Sequence, residues 1–159
     1  MLRSLILLTV TAAMLCSSAP AQENGFGLGV IAGEPTGLSF KKWVERNIAL
    51  DGAVAWSLGR DDALHLHVDY LAHNFGLFQV EEGKLPIYYG LGCRIKSGDD
   101  DRFGARIPLG MNYLFENTPL DIFLEIVPVL DLAPNTELNM NGAIGIRYFF
   151  PKAAPKSVE

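Results

Sequence analysis

His65, His67 and Asp69 stand two residues apart from one another in the run HLHVD. At that spacing they share one face of an extended strand, and imidazole nitrogen and carboxylate oxygen are the donors a transition metal takes. The sequence does not supply the remaining ligands; His73 is the only other histidine. A polar strand face bound to its neighbours is the plainer reading, and no metal ligand is assigned. Ser57 with a histidine and an acid has the parts of a hydrolase triad, but there is no G-x-S-x-G elbow to expose the hydroxyl, so no catalytic residue is assigned. The acidic run Asp99-Asp100-Asp101 lacks the ligand pattern of a calcium loop. The glycines of Phe26-Gly27-Leu28-Gly29 precede no helix, so they do not form a phosphate-binding turn. No cofactor is implied.

Beyond these residues, nearly every stretch alternates with period two, the signature of strands with two unlike faces. The last such stretch, Asn141 to Phe150, reads NGAIGIRYFF. Ile144, Ile146, Tyr148 and Phe150 form its bulky phase; Ala143, Gly145, Arg147 and Phe149 lie between them. Turn residues divide the chain into about eight such strands: 26–33, 38–43, 48–58, 63–72, 85–96, 103–115, 120–130 and a final one ending at 150. Residues 73–84 carry the weakest pattern, and residues 131–138 read as a loop. Pro108 and Pro128 fall inside strands and leave the local register open.

The two phases differ in kind. The minor phase collects Lys41, Arg94, Arg106 and Arg147 as cations and Asp51, Asp69, Asp121 and Glu125 as anions, with most of the in-strand glycine and alanine. The major phase is Leu, Ile, Val and aromatic. It offers about five bulky side chains on most strands, more than the centre of an eight-stranded barrel holds. The expected arrangement is therefore an all-β, antiparallel, up-and-down transmembrane barrel. Its apolar phase faces lipid and its charges form a network in the lumen. Trp56, Tyr70, Phe103, Tyr113, Phe115, Tyr148 and Phe150 then lie toward strand ends as membrane-facing aromatics.

The start of the chain suits such a destination. Met1-Leu2-Arg3, the apolar residues 5–16 and Ser17-Ser18-Ala19-Pro20-Ala21 have the three parts of a secretory signal peptide, cleaved after Ala21. Leu15 before Cys16 argues against lipid attachment there. The domain expectation is a signal peptide over 1–21, a barrel over 22–150 and an unpacked tail over 151–159. Loss of Arg3 makes the chain one charge more negative than its net −5, and there is no basic stripe for nucleic acid. Of the two cysteines only Cys93 remains after cleavage, which excludes an internal disulfide.

The runs GEPTGLSFKKW, HLHVDYLAH, LPIYYGLGCRI, ARIPLGMNYLF, DIFLEIVPVLDLAP and GAIGIRYFF resemble a family of small uncharacterised bacterial outer-membrane β-barrel proteins. That family is known from spirochaetes and other didermic bacteria and is compared with the OmpA/OmpX eight-stranded type. Tyr148-Phe149-Phe150 resembles the terminal signal read by the barrel-assembly machinery, although nine residues follow it here. The resemblance implies an outer-membrane location and, as partners, outer-membrane lipids and the assembly machinery during biogenesis. It assigns no catalytic residue. The function expected is structural, or a loop-mediated contact with an envelope or extracellular protein, without general porin activity. Two alternatives are a soluble periplasmic barrel with an apolar ligand and a lipid-remodelling outer-membrane enzyme.

Overall fold

A computed structural model describes residues 25–57, 63–98 and 101–150. The expected signal peptide, the tail and Asp99-Asp100 lie outside these residues, as do the side chains of Trp56 and Ser57. Every regular element among the described residues is a strand: β1 (Phe26–Gly33), β2 (Gly37–Trp43), β3 (Ile48–Ser57), β4 (Ala63–Asn74), β5 (Ile87–Ser97), β6 (Arg102–Arg106), β7 (Leu109–Leu114), β8 (Leu120–Ala133) and β9 (Glu137–Phe150). All pairings are antiparallel. β1 to β5 pair in chain order, β5 pairs with both β6 and β7, these pair with β8, and β8 with β9. β9 returns to β1, so the sheet closes into a ring of eight positions.

Nine strands fill eight positions because the expected strand over 103–115 is two. β6 pairs Arg106 with Val129, and β7 resumes with Leu109 opposite Ile126, so the register runs unchanged across the gap at Ile107-Pro108. Pro108 has no N–H to give. Opposite the gap, Pro128 lies within β8, and its carbonyl accepts the N–H of Ile107 at 3.0 Å. In an antiparallel ladder a residue's N–H and C=O point to the same neighbour. The donor that Pro128 lacks is therefore missing on the side where β6 already gives way to β7. Two prolines thus share one break in the ladder. On the other flank Gly90 N donates to the Pro108 carbonyl at 3.0 Å, which keeps β5 attached.

Two connections also differ from the sequence expectation. β8 runs to Ala133 and β9 starts at Glu137, so the expected loop over 131–138 shrinks to residues 134–136. β4 includes His73 and Asn74, leaving 75–86 as the connection to β5. That connection lies at the end of the ring that holds Phe26 and Phe150, together with the turns 44–47 and 115–119.

The alternation separates two surfaces. Leu91, Ile126, Ile144 and Leu124 are among many large apolar side chains on the outside, each more than half exposed. Inside, small residues make room for large ones. A Cβ on Gly145 would come within 2.4 Å of the Phe123 ring and 2.6 Å of the Val30 carbonyl, whereas one on Gly142 would meet nothing nearer than 3.8 Å. Gly145→Val is therefore expected to cost about 1–3 kcal/mol through overpacking. Gly142→Val should stay within about 0.5 kcal/mol. Urea midpoints of the two variants check this pair.

Candidate functional site

The ring closes around its charged residues. Lys41, Asp51, Asp69, Arg94, Arg106, Asp121, Glu125 and Arg147 are all buried, and Arg106, Lys41 and Asp121 have no exposure. All of them sit on in-facing positions of strands, where alternation with the apolar phase aims them at the centre. Burial of so many ions requires partners with good geometry, and the partners come from other strands.

Three arginines organise three clusters. Arg147 on β9 donates from Nε to Asp121 Oδ1 at 3.0 Å and from Nη2 to Asp121 Oδ2 at 3.1 Å, a two-pronged contact with its neighbour on β8. Its Nη1 reaches across the ring to Asp51 on β3 and lies 3.5 Å from Ser39 Oγ on β2. The guanidinium also stacks 4.0 Å from the centroid of Phe123, and Asn112 Nδ2 donates to Asp121 at 3.3 Å. Arg106 on β6 donates from Nε to Asp69 Oδ1 on β4 at 3.1 Å, and its Nη2 is 3.5 Å from Glu125 Oε1 on β8. The Tyr88 hydroxyl on β5 donates to Glu125 Oε2 at 3.1 Å.

The third cluster contains a residue the sequence reading left in a loop. Asp131 is buried near the end of β8 and accepts from Arg94 Nε at 2.9 Å, Arg94 Nη2 at 2.5 Å and Asn139 Nδ2 at 2.9 Å. Arg102, partly exposed at the rim, lies 3.9 Å from Asp131 and 3.5 Å from Glu137. The signal that could have found Asp131 is parity: Leu130 and Leu132 continue the outward phase on either side of it.

Lys41 behaves differently from the arginines. It faces Asp51 in the β2–β3 register, but Arg147 takes that carboxylate. The Lys41 ammonium instead donates to His73 Nε2 at 2.8 Å and lies 4.8 Å and 5.2 Å from the ring centroids of Trp43 and Tyr88. His73, Phe75 and Trp43 stack tilted against one another beside buried Phe149. This aromatic layer with one cation caps the ring at the end that holds Phe26 and Phe150.

The other residues with chemical potential are placed as follows. His65 and His67 meet edge to face with centroids 5.8 Å apart, and His67 Nε2 is 3.8 Å from Asp69 Oδ2. Among the described residues no group of three His, Cys, Asp or Glu side chains is arranged to hold a metal. Asp101 accepts from Ser97 Oγ at 2.8 Å and Gly98 N at 3.3 Å, which closes its own turn. Of the aromatics, Tyr70, Phe103 and Phe150 stand exposed on the outer surface. Tyr113 packs edge to face on Phe115, and Tyr148 at 67° on Phe150.

What this arrangement does chemically is fill space with paired charge. It joins non-adjacent strands β3 to β9, β4 to β6 and β5 to β8 through the centre. A search of family models, curated proteins and solved structures finds no match to this chain.

Proposed function

We propose that this chain is a small transmembrane β-barrel of the outer membrane of a didermic bacterium. Its lumen is plugged by ion pairs, and its role lies in envelope structure or in contacts made by the ends of the barrel. The observation that carries the reading is the inverted partition: buried arginine, lysine and carboxylate at the centre, exposed leucine, isoleucine and valine around the circumference. Water rewards the opposite arrangement, and a continuous apolar surface of this extent calls for a matching environment. Hydrocarbon supplies one, and a closed ring of strands leaves no unpaired edge to face it. The sequence resemblance to small outer-membrane barrels supports the same reading.

The three arginine clusters argue against a general porin, since they fill the interior and tie non-adjacent strands together. They also favour the membrane barrel over a soluble carrier. A carrier would line a central cavity with its apolar phase, and here that phase faces out.

Fractionation tests the proposal. The folded protein is expected in the outer-membrane fraction, released by detergent and not by osmotic shock. On a gel it should run faster unboiled than boiled. Release with the periplasm in the absence of surfactant would overturn the reading.

A further inference from the structure

Residues 137–142 read ELNMNG, with one charge at the tip and no lysine or proline. Lysine and proline are the residues with which edge strands fend off a neighbour, and this stretch of β9 is an edge. The β1–β9 register ends at Gly33 opposite Ala143, while β9 runs on to Glu137. Beyond that level only β8 pairs with it among the described residues. The Gly142 carbonyl accepts from Glu34 N at 3.0 Å, which places the Gly142 backbone groups on the β1 side. Successive residues of a strand turn their N–H and C=O to alternate sides. Those of Met140 and Leu138 therefore point the same way as Gly142, past the end of β1. From this edge we infer that two copies of the chain pair head to head, β9 against β9, antiparallel about Asn139.

The segment is complementary to itself. With Asn139 opposite Asn139 of the second copy, Leu138 falls opposite Met140 and Met140 opposite Leu138. Each of these pairs exchanges two backbone bonds, N–H of one to C=O of the other in both directions. Their side chains share the outer face, so leucine meets methionine across the strands, an apolar contact that stabilises a sheet. Glu137 falls opposite Asn141, a carboxylate against an amide, and no like charges meet. Exposure singles out the same two residues. Leu138 at 73% is the most exposed large apolar side chain among the described residues, and Met140 stands at 63%. A strand of another protein would need its own apolar pair and amides at these positions; a second copy brings them in register.

The edge is firm before pairing. Asn139 Nδ2 donates to Asp131 Oδ2 at 2.9 Å, and Arg94 Nε holds the same carboxylate at 2.9 Å. Little conformational freedom is then left to lose on association. β9 has 14 residues, and a tilted bilayer crossing takes about 9–11. On the proposed membrane reading the surplus lies at the Glu137 end, where an unpaired edge meets water and not hydrocarbon. Antiparallel pairing inverts the second copy. Two copies in one membrane point the same way and do not pair so; copies in two facing membranes do. The pairing itself rests on the ladder and not on the membrane reading.

Disulfide trapping in detergent micelles, where orientation is free, tests it. Leu138→Cys and Met140→Cys are made separately in the full-length chain with Cys16→Ser and Cys93→Ala, then oxidised alone and as an equal mixture. The mixture is expected to yield at least about five times the covalent dimer of either variant alone, because opposed Cα atoms lie within disulfide reach and diagonal ones do not. Met140→Pro removes the outward N–H and leaves the β8 ladder whole, since Met140 lies opposite Pro128, whose carbonyl serves Ile107 on the other side. By sedimentation equilibrium in density-matched detergent the unmodified chain is expected to dimerise as its concentration rises. Met140→Pro should stay monomeric, with gel mobility confirming that it folds. Equal yield from the mixture and from either cysteine variant alone, no covalent dimer at all, or a folded Met140→Pro that dimerises like the unmodified chain would each overturn the β9 pairing. Those results would leave the ring and the membrane reading intact. A chain soluble without surfactant that still traps in this register would overturn the membrane reading alone.

Discussion

Arg147→Met is expected to lower the unfolding free energy by about 3–5 kcal/mol, because it leaves two buried carboxylates without their cation. Asp121 and Asp51 both point at the guanidinium from opposite sides, and all three residues are buried. Methionine fills much of the arginine volume, so the loss reads the charge and not a cavity. The triple variant Arg147→Met, Asp51→Asn, Asp121→Asn should recover most of the loss, since neutral amides can pair with each other and with Ser39 and Asn112. Arg102 provides the contrast. Its side chain is 35% exposed and its nearest contacts are at 3.5 and 3.9 Å, so Arg102→Met should cost at most about 1 kcal/mol. Urea midpoints in detergent measure all three. Equal losses for Arg147→Met and Arg102→Met would mean that the centre of the ring is hydrated and that its ion pairs do not hold it together.

The period-two pattern made much of this fold legible. Along β8 the run from Asp121 to Leu132 alternates: Asp121, Phe123, Glu125, Val127, Val129 and Asp131 face in, and Ile122, Leu124, Ile126, Leu130 and Leu132 face out, with a register shift against β6 only at the strand's end. A strand face cannot change parity without a bulge, so a charge between two leucines announces its side even when its partner is unknown. The proline gap between β6 and β7 was not legible in the same way. A missing N–H is a local fact, but whether it breaks a ladder depends on the residue opposite. Pro128 falls opposite Ile107, next to Pro108, only once the register of β8 is set.

The interior also exceeded what residue types convey. Counting four cations and four anions on one phase implies pairing between them, and the β2–β3 register sets Lys41 against Asp51. The side chains chose otherwise. Arg147 has a planar fork that binds Asp121 with two donors and leaves a third for Asp51. Lys41, a compact cation on a flexible stem, turned to His73 and the faces of Trp43 and Tyr88. Parity gives the face of a strand; it does not give the direction along the axis in which a long side chain leans. Turn-forming letters had a similar effect at 131–138. Pro134, Asn135 and Asp131 look like a loop, yet only residues 134–136 turn. The segment 75–86 has apolar residues with no period, so its fastening to β7 could not be read from the chain.

Placing one arginine at different depths of the outer surface should give a graded loss if that surface meets hydrocarbon. Ile126 lies midway along β8, faces out and is 58% exposed; Leu132 faces out near the end of the same strand at 49%. In a bilayer, Ile126→Arg should cost about 2–4 kcal/mol and Leu132→Arg about 0–1 kcal/mol. In water both positions are already solvated, and both changes should stay within about 0.5 kcal/mol. The comparison is internal: the same substitution, the same strand, the same face and similar exposure, with distance from the strand end as the variable. Unfolding free energies in phospholipid vesicles measure the gradient. A flat profile would show that the leucines and isoleucines around this ring face water, and the charged centre would then need a reason other than the membrane.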